Sequence, residues 1–330
     1  ASVVFSDGSI WTAADGRHGT QPLTVDHLYD MGSNTKSMVS AVLLQLEEEG
    51  ALTLDDTLFT YINPTPNVSY GITLKQLLEH RSGVFSYTNH PNFGNAIFSD
   101  ETKFWHPDSI LNQFVATPHF PAGTDYRYSN TGYILLGKVV EAIENKPLHA
   151  VLRTRLFDPM GLDHMYIDQY DSYWQTKIGS WIDPTTYYGD NFISFMSSAW
   201  AAGGAVCTPK DFALYAHKLL RGDVLSPASM AKIQAGGTQV ASSTTYCLGI
   251  MKSIYRGNTY LGHGGTTLQN SEMEYCVDLD YSLTVMNIDD GFSSEPSRMK
   301  FKMKDVIEYI ESVHDNVVRD SDAPQTSVAF

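Results

Sequence analysis

Between Thr35 and Glu49 the apolar residues Met38, Val39, Val42, Leu43 and Leu46 recur at three- and four-residue steps, the period of an α-helix. Ala41 and Leu44 fill the other side, so this helix is expected to be buried on nearly every face. Gly50 supplies its stop. Similar spacing predicts helices over residues 74–79, 107–116, 132–143 and 209–220, and an amphipathic helix over 298–313. Beyond Arg319 the tail reads as loose. Strand signals sit toward the two ends of the chain. Val3 to Trp11 reads as two short strands around an Asp7-Gly8 turn. Residues 28–32 read as extended, and 246–254, 259–261, 274–277 and 282–287 as strands. Strands at both ends with helices between them predict an α+β fold, an α/β sandwich. Residues 1–50 plus 201–330 form its sheet-containing region, and 51–200 a mostly helical insertion, with the functional site between them.

Composition narrows the partners. The 330 residues carry 22 Lys and Arg against 37 Asp and Glu, a formal charge of −15. Nucleic acid and anionic lipid are poor electrostatic partners for such a chain. Its 42% hydrophobic and 12% aromatic content argues against disorder. No apolar run approaches the ~18 residues of a membrane helix. The three cysteines cannot all pair, and no CxxC occurs, so zinc-ribbon and thioredoxin-type sites fail. They are expected to be buried free thiols. If 246–254, 259–263 and 274–277 form a meander, Cys247 and Cys276 stand two strands apart, about 9–10 Å. That exceeds the ~7 Å Cα limit of a disulfide. His80, His90, His106 and His119 share one region but lack metal-ligand spacing, so no metal and no cofactor is expected. The chain opens at Ala1 without Met or a signal-peptide pattern and reads as a processed or trimmed product.

Several common catalytic signatures are missing: G-x-S-x-G, H-E-x-x-H, the P-loop and G-x-G-x-x-G. Ser-x-x-Lys occurs three times, at Ser33–Lys36, Ser229–Lys232 and Ser297–Lys300. The last two lie at the starts of ordinary amphipathic helices, where Ser is a routine N-cap. Ser33 leads the buried helix instead. Residues three apart share a helical face, so the Lys36 amine can lie beside the Ser33 hydroxyl. Burial lowers a lysine's pKa, and a neutral amine can take a serine's proton. The helix start adds N–H groups suited to an oxyanion. Tyr-x-Asn also occurs three times, at Tyr61, Tyr87 and Tyr128, and only Tyr128–Asn130 sits in a loop feeding an apolar helix. In an extended loop the two side chains would face one site, where a phenol can shuttle a proton and an amide can hold a substrate amide. His263-Gly264-Gly265 follows a strand-like run, and its glycines allow close backbone approach.

In order, Ser33-x-x-Lys36, Tyr128-x-Asn130 and His263-x-Gly265 resemble the three signatures of the serine β-lactamase and penicillin-binding peptidase superfamily. The nearer likeness is to the class C β-lactamase and D,D-carboxypeptidase branch. Leu77-Leu78-Glu79-His80-Arg81-Ser82-Gly83, Tyr128 to Gly137, and Ala202-Gly203-Gly204 with Thr208 to Asp211 are similar to further family segments. The resemblance spans residues 3–310 and implies a β-lactamase-like fold. It implies a serine hydrolase that forms an acyl-enzyme on Ser33 from amide or ester bonds of a small-molecule or peptide acyl donor. D-amino-acid peptidase or carboxypeptidase chemistry is expected. A carboxylesterase with promiscuous β-lactam hydrolysis, and a non-turnover penicillin-binding sensor or scaffold, are the alternatives. Ser33, Lys36 and Tyr128 would be catalytic, with the choice of base between Lys36 and Tyr128 open. Asn130, His263, Gly264 and Gly265 would bind substrate, with His263 supporting Tyr128 or the leaving group. The N–H groups of Ser33 and Thr266 would form the oxyanion hole, and His80 would be structural. An exported location, periplasmic or secreted, goes with the family. Two departures stand out. Gly264 replaces a Thr that in many relatives helps hold a substrate carboxylate, which favours esters, amides or amino-terminal D-residues. Thr267 to Ser271 lacks the usual glycine-rich continuation.

Overall fold

Strands from both chain ends build one antiparallel sheet. The computed structural model describes residues 1–18, 21–100, 102–171, 191–267, 269–287, 303–305 and 307–308. Its strands are β1 (Ser2–Val4), β2 (Ile10–Thr12), β3 (Arg17–His18), β4 (Gln21–Pro22), β5 (Tyr29–Asp30), β6 (Met165–Ile167), β7 (Ala205–Cys207), β8 (Thr238–Ala241), β9 (Thr244–Tyr246), β10 (Met251–Tyr255), β11 (Asn258–Thr266), β12 (Asn270–Cys276) and β13 (Tyr281–Asn287). Eight of them run in the order β2-β1-β13-β12-β11-β10-β9-β8, all neighbours antiparallel. The expected N-terminal hairpin is β1–β2, with Gly8 at φ 81° in its turn. β1 then pairs with β13 in the register Val3↔Leu283, which closes the sheet across the whole length of the chain.

The run 246–254, expected as one strand, is a hairpin instead. Tyr246 of β9 pairs with Met251 of β10, and residues 247–250 turn between them. The turn residues are apolar because they dip into the core rather than into water: all four are buried, and Ser40 Oγ donates to the Leu248 carbonyl at 2.6 Å. Gly249 sits at φ 72°, where a Cβ would lie 2.8 Å from that of Ser40. Cys247 lies in this buried turn and Cys276 at the end of β12, and all three cysteines are free and buried.

The buried helix is α1 (Thr35–Glu48). Met38, Val39, Val42, Leu43 and Leu44 have no exposed surface, and each such side chain contributes about 1.5–3 kcal/mol by leaving water. The chain leaves α1 through Gly50 at φ 74°, as its position predicts, with Ala51 N–H donating to Leu46 O. Three further helices frame the site: α2 (Asn130–Glu144), α3 (Asn191–Gly203) and α4 (Pro209–Arg221). α4 lies against β1, β12 and β13 and is tied by Ser282 Oγ donating to Ala213 O. The Ser229 motif is an ordinary helix start, with one correction: Ser226 is the cap, accepting from Ser229 N–H at 3.2 Å. Capping falls to Ser226 because Pro227 follows it at the first helical position.

A small second sheet, β5-β7-β6, takes one strand from each of three distant stretches of chain. Of the expected helix over 298–313, residues 303–305 and 307–308 are helical, with Tyr255 OH donating to Asp305. Its remainder, the Ser297 motif and the tail lie outside the described residues. Among the described residues no helix is long and apolar enough to cross a membrane.

Candidate active site

Ser33 lies in a short 3-10 turn, Gly32–Asn34, directly ahead of α1. Two glycines press this turn against β11. Gly32 sits at φ 51°, and a Cβ there would lie 2.8 Å from the Thr266 backbone nitrogen. A Cβ on Gly265 would collide with the Met31 carbonyl oxygen. Asn34 Nδ2 donates to Met31 O and to Ser271 Oγ, both at 2.8 Å, and so fastens the turn to β12. The ladder between β10 and β11 ends at Met251↔Gly262, so β10 leaves the β11 edge from His263 to Thr266 uncovered. Ser33, itself partly exposed, therefore faces an open strand edge with the Thr266 nitrogen beside it.

Lys36 follows one turn later and is wholly buried. Its Nζ donates to Ser33 Oγ at 2.9 Å, Asn130 Oδ1 at 2.8 Å and Ala202 O at 2.6 Å. These acceptors are neutral, and burial holds the amine well below the ordinary lysine range. A neutral amine there presents a lone pair within reach of the Ser33 proton. α3 supplies the third acceptor through a kink: Trp200 adopts φ 35°, ψ −120°, which redirects the chain just before Ala201-Ala202.

Tyr128 lies with its ring centroid 4.8 Å from Lys36 Nζ. Burial pushes its phenol up, against a hydrogen bond with the Ser33 side chain, so the phenol stays protonated. His80 fixes this residue from behind. The two ring centroids lie 4.1 Å apart with the planes tilted by 42°, Ser129 N–H donates to His80 Nδ1, and Arg127 N–H donates to the His80 carbonyl. His80 is thus structural, as expected, and it holds both neighbours of Tyr128. Burial, then Lys36 and His263, keep its imidazole neutral.

Asn130 is committed at both ends of its amide. Besides accepting from Lys36, it donates through Nδ2 to Thr88 Oγ1 at 3.2 Å. His263 also points inward. Its Nε2 meets Tyr246 OH at 3.0 Å, and its ring lies 6.5 Å from that of Tyr128. Burial and Lys36 bring its pKa down to about 3. Tyr246, which joins His263 to His80 with ring centroids 4.6 Å apart, has no motif to announce it in the sequence. Gly264 and Gly265 lie on the open edge, as their positions imply. Tyr61 and Tyr87, the other Tyr-x-Asn residues, have structural partners in Asp56 and the Ser198 carbonyl.

Two buried carboxylic acids stand behind the end of β11. Asp30 accepts from Thr267 Oγ1 at 2.8 Å, and burial raises it to about 6. Asp168 is raised to about 7, by burial first and by Asp30 second, and one of its oxygens is buried without a hydrogen bond. Among the described residues no three His, Cys, Asp or Glu side chains gather as metal ligands.

A partly exposed serine and a buried lysine at the start of a core helix thus lie beside an open strand edge and a buried tyrosine. The sequence profile of the β-lactamase family matches residues 1–296, and the chain belongs to that family. A D-stereospecific amidohydrolase from Streptomyces sp. shares the fold with a TM-score of 0.72 and 25% identity over 88% of each chain. The D-amino acid amidase of Ochrobactrum anthropi SV3 gives a TM-score of 0.77 at 23% identity, over 94% of this chain and 93% of that one. An unguisins hydrolase of Aspergillus campestris is 26% identical over 299 residues, 80% of this chain and 53% of its own length. The chain spans between 38% and 59% of the length of three curated relatives it matches.

Proposed function

We propose that the protein is a serine amidohydrolase that forms an acyl-enzyme on Ser33 and acts on amides of D-amino acids or short D-peptides. The supporting observation is the 2.9 Å contact between Ser33 Oγ and a buried Lys36 amine whose partners are all neutral. Lys36 is the base: its pKa is lowered, while that of Tyr128 is raised, so the amine and not the phenol is ready to accept a proton. Ser33 Oγ adds to the carbonyl carbon and its proton passes to Lys36 Nζ. The carbonyl oxygen becomes an oxyanion held by the N–H groups of Ser33 and Thr266. Tyr128 gives its proton to the leaving nitrogen and is reprotonated from Lys36, and the C–N bond breaks. Water then attacks the ester by the reverse proton path, which frees the acid and restores Ser33.

In this reading Asn130 orients Lys36, and Gly264 and Gly265 leave room for substrate along the β11 edge. His263 acts through Tyr246 and His80 rather than on the leaving group. The site draws Ser33, Lys36 and Thr266 from the sheet-containing region (1–50 plus 201–330) and Tyr128 and Asn130 from the helical insertion (51–200). The choice of D-substrates is supported by the likeness to the D-stereospecific amidohydrolase from Streptomyces sp.. Steady-state hydrolysis of D- and L-phenylalaninamide, of D-alanyl-D-alanine and of a p-nitrophenyl ester is the test. Turnover of the D-amide that is lost in Ser33→Ala is expected. Ester turnover alone, or turnover surviving Ser33→Ala, would reject the proposal.

A further inference from the structure

A pocket of about 300 Å³ is lined by residues of α1, of the short helix Leu74–Leu78, of the helix Pro227–Ala235 and of the buried β9–β10 turn. None of its lining residues belongs to the Ser33 site. Glu79, the residue before His80, is one of them. Only 8% of Glu79 is exposed. Among the described residues its carboxyl group makes no hydrogen bond and no ion pair. One of its oxygens lies 3.8 Å from where a Cβ on Gly236 would sit, and Gly236 lines the same pocket. The carboxyl group itself, and not only its stem, therefore stands at the pocket wall.

The surrounding cations leave this group without a partner. Lys232 is paired with Glu47 at 2.8 Å, and Arg81 donates to the Gly123 carbonyl. Lys75 and Arg81 act on Glu79 only as charges at a distance, and burial outweighs them, raising its pKa. Lys75 and Asp55 are exposed at the rim. The rest of the wall is largely apolar: Leu54 and Leu248, both buried, and Ala235. A buried carboxylate is satisfied by a cation that also brings N–H donors, and an apolar wall favours an alkyl body beside it. A metal ion is poorly served, because among the described residues no three His, Cys, Asp or Glu side chains gather as ligands. We propose that this pocket is a second ligand site, which takes a small primary alkylammonium ion with its N–H groups on Glu79 and its chain against Leu54, Leu248 and Ala235. The site stands apart from the acyl-transfer reading of Ser33 and does not depend on it.

The test is calorimetric titration of the protein with n-butylammonium chloride at constant ionic strength. The wild type is expected to show one saturable site with a Kd on the order of millimolar, the scale open to a ligand of so few atoms. Potassium and tetramethylammonium bring the charge without N–H donors and should bind about tenfold more weakly or worse. Glu79→Gln keeps the shape of the side chain but removes its charge, and should weaken butylammonium binding by about tenfold or more. Ala235→Trp provides a second variant that leaves the carboxyl group in place. It fills the pocket from an exposed position at the end of its helix, which a folded protein tolerates, and should abolish binding. Wild-type affinity in either variant would overturn the proposal. So would potassium binding as tightly as butylammonium, or a wild type without a saturable site.

Discussion

The imidazole of His80 packs against Tyr128 with ring centroids 4.1 Å apart, and the same residue bonds the backbone on each side of that tyrosine. His80 itself adopts φ 56°, a conformation rare for a residue with a side chain. Tyr128 is therefore placed by a neutral, buried ring that touches no substrate.

His80→Gln is expected to lower kcat by one to two orders of magnitude, since a displacement of about 1 Å at a reacting group costs up to about 100-fold. KM should change little. Steady-state kinetics on a D-amide give both numbers, and a rise in KM with kcat unchanged would show that His80 shapes the binding surface instead.

Lys36→Arg puts a permanent cation one turn from Ser33 in place of the neutral base, because a guanidinium stays protonated at every accessible pH. Acylation should fall by about 10²–10⁴-fold and should not recover as the pH is raised. Rapid-quench acylation between pH 6 and 10 checks this. A rate that climbs back at high pH would assign the proton transfer to another group.

Gly32→Ala places a methyl group against the Thr266 nitrogen at a φ that favours glycine. The strain should cost about 1–3 kcal/mol and push the turn away from β11. Activity should then drop further than stability does. Urea unfolding and kinetics on one preparation compare the two losses, and wild-type activity in the variant would mean that the close contact is dispensable.

The pair Asp30 and Asp168 makes stability depend on pH with a definite sign. Their native pKa values are raised to about 6 and about 7, whereas an unfolded Asp titrates near 3.9. The native state binds the extra protons, so the pair's contribution is full below about pH 4 and falls as the pH rises to about 7. Asp168→Asn removes that loss. Its stability relative to wild type should increase from pH 4 to pH 7 and then level off, by on the order of 2–4 kcal/mol. Thermal unfolding of both proteins across this range reads the difference, and a constant offset would contradict the shift.

The 3.6-residue period of α1 made Ser33 and Lys36 legible, because a helix apolar on all faces must lie in the core and carry its first turn there. The fold class followed from strands at both ends. The β9–β10 hairpin was hidden because its turn is buried and hence apolar, without the Gly and Asn pattern of a solvent-facing turn. The motif brought Asn130 to the site, but its spacing could not show that the amide also joins Lys36 to Thr88. Tyr246 owes its place beside His263 to register between strands, which no local pattern records.

The most direct measurement is peptide mapping of the enzyme quenched during turnover of a D-phenylalanyl ester. The account predicts one D-phenylalanyl adduct, on Ser33, absent from Ser33→Ala and accumulating when deacylation is slowed. An adduct on any other residue, or hydrolysis by Ser33→Ala at the wild-type rate, would contradict it.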